Sequence, residues 1–108
     1  MRISEVGGVY VLELEGSLDV ESSEDMKKEA LRVCEMGRGM VLDLRNLSYI
    51  DSIGIGSIVS VFRKCSSVGK RLVLVATEGN VLDVLKMTRL DKLIDIFKSV
   101  SEAIRSFE

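Results

Sequence analysis

Hydrophobic residues follow two different spacings, which alternate from residue 9 to the end of the chain. Short apolar runs at 40–44 and 71–76 are typical of interior parallel strands, which are buried on both faces. Residues 9–15 instead alternate apolar and polar side chains, which indicates a strand with one wetter face. Residues 3–6, followed by Gly7-Gly8, complete a predicted hairpin with that strand.

Helical spacing occurs between the predicted strands. The clearest case has apolar side chains at i, i+3, i+4 and i+7 and predicts a helix to about residue 68: Ile55, Ile58, Val59 and Phe62. Other helices are predicted to begin at Ser22, at 78–80 and, after a short strand at 93–97, at Ser99 or Ser101.

The alternation of strands and helices predicts an α/β domain. Parallel neighbours need crossover connections, which are almost always right-handed. We therefore predict a single mixed β-sheet whose first strand is antiparallel and whose other strands are parallel, with four helices. The 108 residues contain no proline, no low-complexity linker and no repeat, so we expect one domain over residues 1–108.

Composition excludes several classes of partner. The net charge is −2 and acids and bases are mixed along the chain, so neither nucleic acid nor an anionic membrane is expected. No window approaches the ~20 apolar residues of a membrane span. The first residues lack the layout of a secretion signal, so we expect a cytoplasmic protein. A small basic group flanks the end of the second predicted helix, where cations favour the helix dipole: Arg63, Lys64, Lys70 and Arg71.

The residue types that usually perform catalysis are scarce. Histidine is absent, which removes Ser-His-Asp and Cys-His nucleophile activation and histidine metal sites. Cys34 and Cys65 fall on different predicted helices without metal-ligand spacing, so we expect two half-buried thiols, although one disulfide stays possible. We therefore predict that the protein is not an enzyme and has no catalytic residue, no metal and no cofactor.

Polar residues follow three of the predicted parallel strands. The turns at 16–22, 48–54 and 76–80 should share one end of the sheet, because parallel strands end on the same side and sites usually form there. We therefore expect four side chains that are distant in sequence to be neighbours: Asp19, Asp51, Ser52 and Thr77.

Three hypotheses remain open for the turn at Asp51 and Ser52. In the first, Ser52 caps the following helix with help from Asp51, while Gly54 and Gly56 allow close packing. In the second, the glycines bind an anion, although the Gly-x-x-x-x-Gly-Lys-Ser/Thr spacing is missing. In the third, Ser52 accepts a phosphate and gains about −1.5 to −2 charges. That phosphate would act mainly on a partner pressed against the turn rather than on the fold.

Residues 41–56, VLDLRNLSYIDSIGIG, resemble the signature of STAS domains, and specifically of bacterial anti-sigma factor antagonists. Gly16-Ser17-Leu18-Asp19 and the segments 69–74 and 81–90 support this resemblance, which covers nearly the whole chain. It implies that the unphosphorylated protein binds an anti-sigma factor that is also a serine kinase, and so releases the sigma factor. The kinase then phosphorylates Ser52, the complex dissociates, and a serine phosphatase restores the binding form.

The resemblance also implies helices mostly on one face of the sheet and a set of partner-binding residues: Asp19, Asp51, Ser52, Ile53, Gly54 and Ile55. Two positions depart from the family pattern. Ile53 stands where Ser or Thr is common, and Arg89 replaces the glycine of a Thr-Gly-Leu segment, which alters the end of the third helix. We expect a monomer when the protein is free. The alternative function is a non-phosphorylated STAS scaffold in a transport or stress-signalling complex.

Overall fold

A computed structural model describes residues 1–108, which build one five-stranded sheet with helices on both faces. The strands are neighbours in chain order: β1 (Arg2–Val6), β2 (Val9–Leu18), β3 (Gly39–Ile50), β4 (Arg71–Val75) and β5 (Ile96–Phe97). The helices are α1 (Val20–Val33), α2 (Ser52–Ser67), α3 (Asn80–Met87) and α4 (Val100–Arg105). β1 is antiparallel to β2 and all other neighbours are parallel, which confirms the predicted architecture.

The predicted hairpin between β1 and β2 is confirmed. Gly7 and Gly8 have φ angles of 58° and 87°, and a two-residue turn of type I′ needs positive φ at both central positions. Val6 and Val9 therefore pair directly across the turn.

The sheet separates two hydrophobic cores of unequal size. The larger core lies under α1, α2 and α3, and its fully buried strand residues include Leu12, Met40, Leu42 and Leu74. The smaller core lies under α4 and is built mainly from valines of β2, β3 and β4. Successive strand residues point to opposite faces, so each strand supplies both cores. Three of the four helices share one face, as the resemblance implied.

β2 and β3 extend further than their apolar runs predicted. β3 pairs with β4 only as far as Asp43 opposite Val75, and then continues beside β2 until Leu18 faces Ile50. The added segment of β3, residues 45–49, is largely polar, so it carries no local strand signal. Two register shifts in the β2–β3 pairing accommodate it. The ends of β2 and β3 therefore project beyond β4.

The segment after α3 also differs from the prediction. Residues 90–92 form a 3₁₀ turn, and the N–H groups of Leu93 and Ile94 donate to the Leu90 carbonyl, so β5 is shorter than the predicted strand at 93–97. Arg89 has φ 61°, which is the left-handed backbone that glycine would adopt without cost. Of the two serines proposed as caps for α4, Ser99 is the one that accepts from Glu102 N–H, at 3.2 Å.

The two cysteines are fully buried rather than half-buried. Cys34 and Cys65 are 1% and 0% exposed, and both thiols are free. Burial, together with the neighbouring Cys34, raises the pKa of Cys65 to about 12, so this thiol stays protonated at neutral pH. None of the helices has the length and apolar character needed to cross a membrane.

Candidate functional site

Ser52 is the first residue of α2, directly beyond the end of β3. Asp51 is the N-cap, with extended backbone, and its Oδ1 accepts from Gly54 N–H at 2.9 Å. The predicted roles within the cap are therefore corrected, because Asp51 caps the helix and Ser52 does not. The Ser52 side chain is exposed, and its hydroxyl makes no hydrogen bond to the rest of the protein. This hydroxyl is accessible and chemically uncommitted.

The turn at Ser52 is held against the end of β2. Asp51 N–H donates to the Leu18 carbonyl at 3.3 Å. A Cβ on Gly54 would lie 2.3 Å from the same carbonyl oxygen, which is closer than real Cβ atoms approach. Gly54 therefore allows the close packing proposed from the sequence, whereas Gly56 faces open space and does not contribute to it.

Asp19 occupies the equivalent place at the start of α1. The sequence predicted Ser22 as the cap, but the structure places Asp19 there and Ser22 three residues into the helix. The Asp19 carboxylate accepts from the backbone N–H groups of Glu21 and Ser22 and from the hydroxyl of Ser17. The hydrogen bond from Ser22 N–H is the main reason that the pKa of Asp19 lies below its ordinary value, and it outweighs the opposing effect of desolvation.

Most of the predicted site residues gather at one end of the sheet. Asp19 follows Leu18, which contacts the Asp51–Gly54 turn, so the starts of α1 and α2 lie side by side. Ile53 is 50% exposed, whereas Gly54 is buried and Ile55 packs partly on the larger core.

Thr77 does not join this group. It lies with Ser48 and Asn80 in a separate cavity of about 190 Å³, whose lining includes neither Asp51 nor Ser52. Asn80 Nδ2 donates to the Ser48 carbonyl at 3.4 Å. Thr77 is separated from Ser52 because β3 is extended. The extension carries Asp51 and Ser52 past the end of β4, while Thr77 stays near that end.

Carboxylates outnumber basic residues in the two chain segments that meet at this end of the sheet. Residues 14–26 and 46–62 contain no lysine or arginine, although Arg2 from β1 lines a cavity with Glu15 and Asn46. The same two segments carry carboxylates: Glu15, Asp19, Glu21, Glu24, Asp25 and Asp51. The pattern is visible in the sequence, but its meaning depends on knowing that the two segments are adjacent.

Sequence reasoning also missed two exposed apolar side chains near Ser52. Val20, the first residue of α1, is 63% exposed, and Tyr49, near the end of β3, is 49% exposed. Their exposure depends on where the strands end, which the local pattern did not indicate.

Metal-ligating and basic side chains are the next feature of the region around Ser52. No three His, Cys, Asp or Glu side chains are grouped to hold a metal ion. The chain contains no histidine, and residues 46–62, which include Ser52, contain no lysine that would remove its proton. What the site does offer is an exposed hydroxyl at a helix start, on a turn fixed by two neighbouring elements.

Comparison with known proteins identifies the family. The model of the STAS domain matches residues 1–103. The chain belongs to the STAS domain family. The anti-sigma-B factor antagonist of Listeria monocytogenes is 32% identical to this STAS domain, over 75% of the chain and 72% of that protein. The resemblance to anti-sigma factor antagonists is therefore confirmed.

Solved structures agree with this assignment. The crystal structure of a Thermotoga maritima protein, provisionally named an anti-sigma factor antagonist, superposes with a TM-score of 0.89 and 28% identity, covering 98% of this chain and 92% of that one. The Bacillus protein SpoIIAA in its phosphorylated form has the same fold, with a TM-score of 0.76 and 20% identity over 99% and 98% of the two chains.

Proposed function

We propose that this STAS domain is an anti-sigma factor antagonist whose binding is switched off by phosphorylation of Ser52. In its unmodified form it binds an anti-sigma factor that is also a serine kinase, and the sigma factor is released. The kinase transfers the γ-phosphoryl group of ATP to the Ser52 hydroxyl, which loses its proton, and ADP leaves. A serine phosphatase hydrolyses the phosphate ester and restores the binding form.

The observation that carries this proposal is the uncommitted hydroxyl of Ser52. It is the only hydroxyl between Asp51 and Gly54, and the adjacent cap is completed by Asp51 without it. A kinase can therefore modify Ser52 without breaking a hydrogen bond of the fold. The SpoIIAA structure in a phosphorylated form supports a phosphate on a protein of this fold.

Electrostatics favours a switch of binding over a switch of folding. A phosphate near Asp51 is repelled by roughly 3 kcal/mol per added charge at ~6 Å and an effective dielectric of ~20. Solvent screens part of this, and the helix N-terminus offsets ~0.3–1 kcal/mol. No lysine or arginine between residues 46 and 62 is present to pair with the phosphate. A partner surface would have to bury this dianion. A loss of ~3 kcal/mol of binding free energy lowers the affinity more than a hundredfold.

The test is phosphorylation by anti-sigma factor kinases from the same organism, with ATP and mapping by mass spectrometry. We expect one phosphate on Ser52 in the wild type and none in Ser52→Ala. Ser60→Ala is the matched control, because Ser60 is an exposed serine of the same helix. It should be phosphorylated like the wild type.

Binding to the same kinase provides the second half of the test. Ser52→Ala should bind as the wild type does and stay bound when ATP is added, whereas Ser52→Asp should bind much more weakly. Absence of phosphate at Ser52 with every such kinase would contradict the proposal, as would a Ser52→Asp variant that binds as tightly as the wild type.

A further inference from the structure

The sheet has an open edge at β5, away from the site at Ser52. β5 is the last strand of the sheet, and the carbonyls of Asp95 and Phe97 accept from β4 and from the residue after it. Backbone groups of successive strand residues point to opposite sides, so the N–H and C=O of Ile96 point away from β4, where no strand lies. Lys98, two residues further on, also makes no backbone hydrogen bond. The edge therefore offers unpaired donors and acceptors to another extended chain.

Two cavities adjoin this edge, on the side of the sheet that carries α3. The first has a volume of about 420 Å³ and is lined by both residues of β5 and by Leu82 of α3. The second has a volume of about 370 Å³, shares Ala76, Leu82 and Lys98 with the first, and continues to Glu78. Because they share these three residues, the two cavities form one elongated cleft along the edge, which we call the β5 cleft.

Charged side chains are distributed unevenly along the β5 cleft. Lys98 lies where the two cavities meet, and none of the ion pairs of the structure includes Lys98 or Lys86. Asp95 already forms an ion pair with a side chain outside the cleft. The first cavity also holds Lys86 and Asp91, whose charges offset each other, and the second holds Glu78. Lys98 is therefore the cation at the centre of the cleft, and each half has one unpaired carboxylate.

We infer that the β5 cleft binds an extended segment of a partner protein, which adds to the five-stranded sheet beside β5. The backbone groups of Ile96 and Lys98 select an extended chain, because that conformation presents N–H and C=O groups at the matching spacing. Alternate side chains of an added strand face the cleft. Leu82 and Ile96 select apolar side chains there, and Lys98 selects a carboxylate between them. The segment therefore has apolar, acidic and apolar side chains at every second residue.

The β5 cleft is separate from the site at Ser52. No residue of the segment 46–62 lines either cavity, and β4 lies between β5 and the strand that leads to Ser52. A segment bound at β5 would therefore leave the Ser52 hydroxyl exposed. The inference concerns a second partner, and it does not depend on phosphorylation.

The probe is the peptide Val-Thr-Glu-Thr-Val, acetylated and amidated at its ends, which places two valines and the glutamate on one face of a strand. Binding is measured by NMR as shifts of the backbone amides of the isotope-labelled protein. We expect saturable shifts that are largest at Ile96 and Lys98. The control peptide carries a methyl group on every backbone nitrogen, so it keeps the side chains but donates no backbone hydrogen bond. It should bind at least about tenfold more weakly.

Two pairs of variants test the side chains of the cleft. Lys98→Glu should weaken binding of the probe peptide at least about fivefold, because an attraction becomes a repulsion. Lys28→Glu makes the same charge change at an exposed position of α1 and should bind within about twofold of the wild type. Leu82→Ala should weaken binding about threefold or more, because apolar surface of the cleft is lost. Val84→Ala removes a partly buried side chain of the same helix outside the cleft and should bind within about twofold of the wild type.

Three outcomes would overturn the inference. The first is the absence of saturable shifts with the probe peptide at millimolar concentration. The second is equal binding of the N-methylated peptide, which would mean that the cleft holds side chains or a small anion and that β5 does not accept a strand. The third is equal losses in the cleft variants and in their controls. Each outcome leaves the proposed function intact, because that function is tested with the kinase and Ser52.

Discussion

Asp19 and Asp51 occupy equivalent places, since each follows a parallel strand and caps the helix after it, but their surroundings differ. The Asp19 carboxylate accepts from two backbone N–H groups and from the hydroxyl of Ser17. Ser22 completes this junction, because its hydroxyl accepts from Asp19 N–H and donates to the Ser17 carbonyl at 2.7 Å. Asp51 accepts one hydrogen bond from Gly54 N–H, and no hydroxyl takes part.

The difference shows how one kind of helix start serves two purposes. At the start of α1 the hydroxyls of Ser17 and Ser22 form hydrogen bonds within the cap, so modification of either one would break the junction. At the start of α2, close packing of Gly54 on Leu18 replaces the hydroxyl network. Ser52 is therefore free for another role without loss of the fold.

The largest expected effect on stability comes from Gly54→Ala. The added Cβ would meet the Leu18 carbonyl oxygen at 2.3 Å, and backbone on both sides would have to shift. We expect the free energy of unfolding to fall by about 1–3 kcal/mol, measured by urea denaturation.

Gly56→Ala is the matched control for this substitution. Gly56 lies in the same helix, and a Cβ there has no atom within 4 Å, so replacement by alanine should raise stability by about 0.5–1 kcal/mol. If both variants changed stability in the same direction, packing on Leu18 would not be what holds the Ser52 junction.

Replacement of the α2 cap is expected to have the next largest effect. Asp51→Ala removes the acceptor for Gly54 N–H and should cost about 1 kcal/mol in unfolding free energy, whereas Asp51→Asn retains an acceptor and should cost much less. The same denaturation measurement distinguishes the two. Equal losses would mean that Asp51 stabilises the junction by its charge and not as a cap.

Much of this junction was predictable from the sequence, because strand and helix periods are local properties. Spacing and parallel topology predicted the strand before Asp51 and the helix after it. They also predicted that Asp51 and Asp19 lie at the same end of the sheet. The roles within each cap did not follow. Aspartate and serine are both good caps, and only the point at which Leu18 stops pairing decides that Asp19 and not Ser22 caps α1.

Long-range strand pairing explains the other differences between the predicted and the observed structure. The polar residues 45–49 extend β3 because β2 continues beside them, and this extension separates Thr77 from Ser52. Arg89 shows the same limit at the end of α3. The missing family glycine was visible in the sequence, but only the structure shows that Arg89 adopts a left-handed backbone at φ 61°.

The two serines allow a direct test of the comparison between junctions. Ser22→Ala removes a hydroxyl that both accepts and donates within the α1 junction, and should lower the free energy of unfolding by about 0.5–1.5 kcal/mol. Ser52→Ala removes a hydroxyl with no internal partner and should change stability by no more than about 0.5 kcal/mol. A Ser52→Ala variant as unstable as Ser22→Ala would show that Ser52 is part of its cap after all.

The smallest expected effect is a pH dependence at Asp19. Hydrogen bonds to the carboxylate, above all from Ser22 N–H, hold the pKa of Asp19 below its ordinary value of 3.8. A lowered pKa in the folded state stabilises the fold above the unfolded pKa, and this contribution is lost as the pH falls through the folded value.

Asp19→Asn still caps α1 but lacks the titrating group. We therefore expect the stability difference between wild type and Asp19→Asn to be constant near neutral pH and to shift against the wild type below about pH 4. Urea denaturation between neutral pH and about pH 2.5 measures this difference, and Asp83→Asn, at an exposed position of α3, corrects for the change in net charge. A difference that stays constant down to the lowest pH would mean that the hydrogen bonds at Asp19 do not depend on its charge, and the contrast between the two caps would then be one of geometry alone.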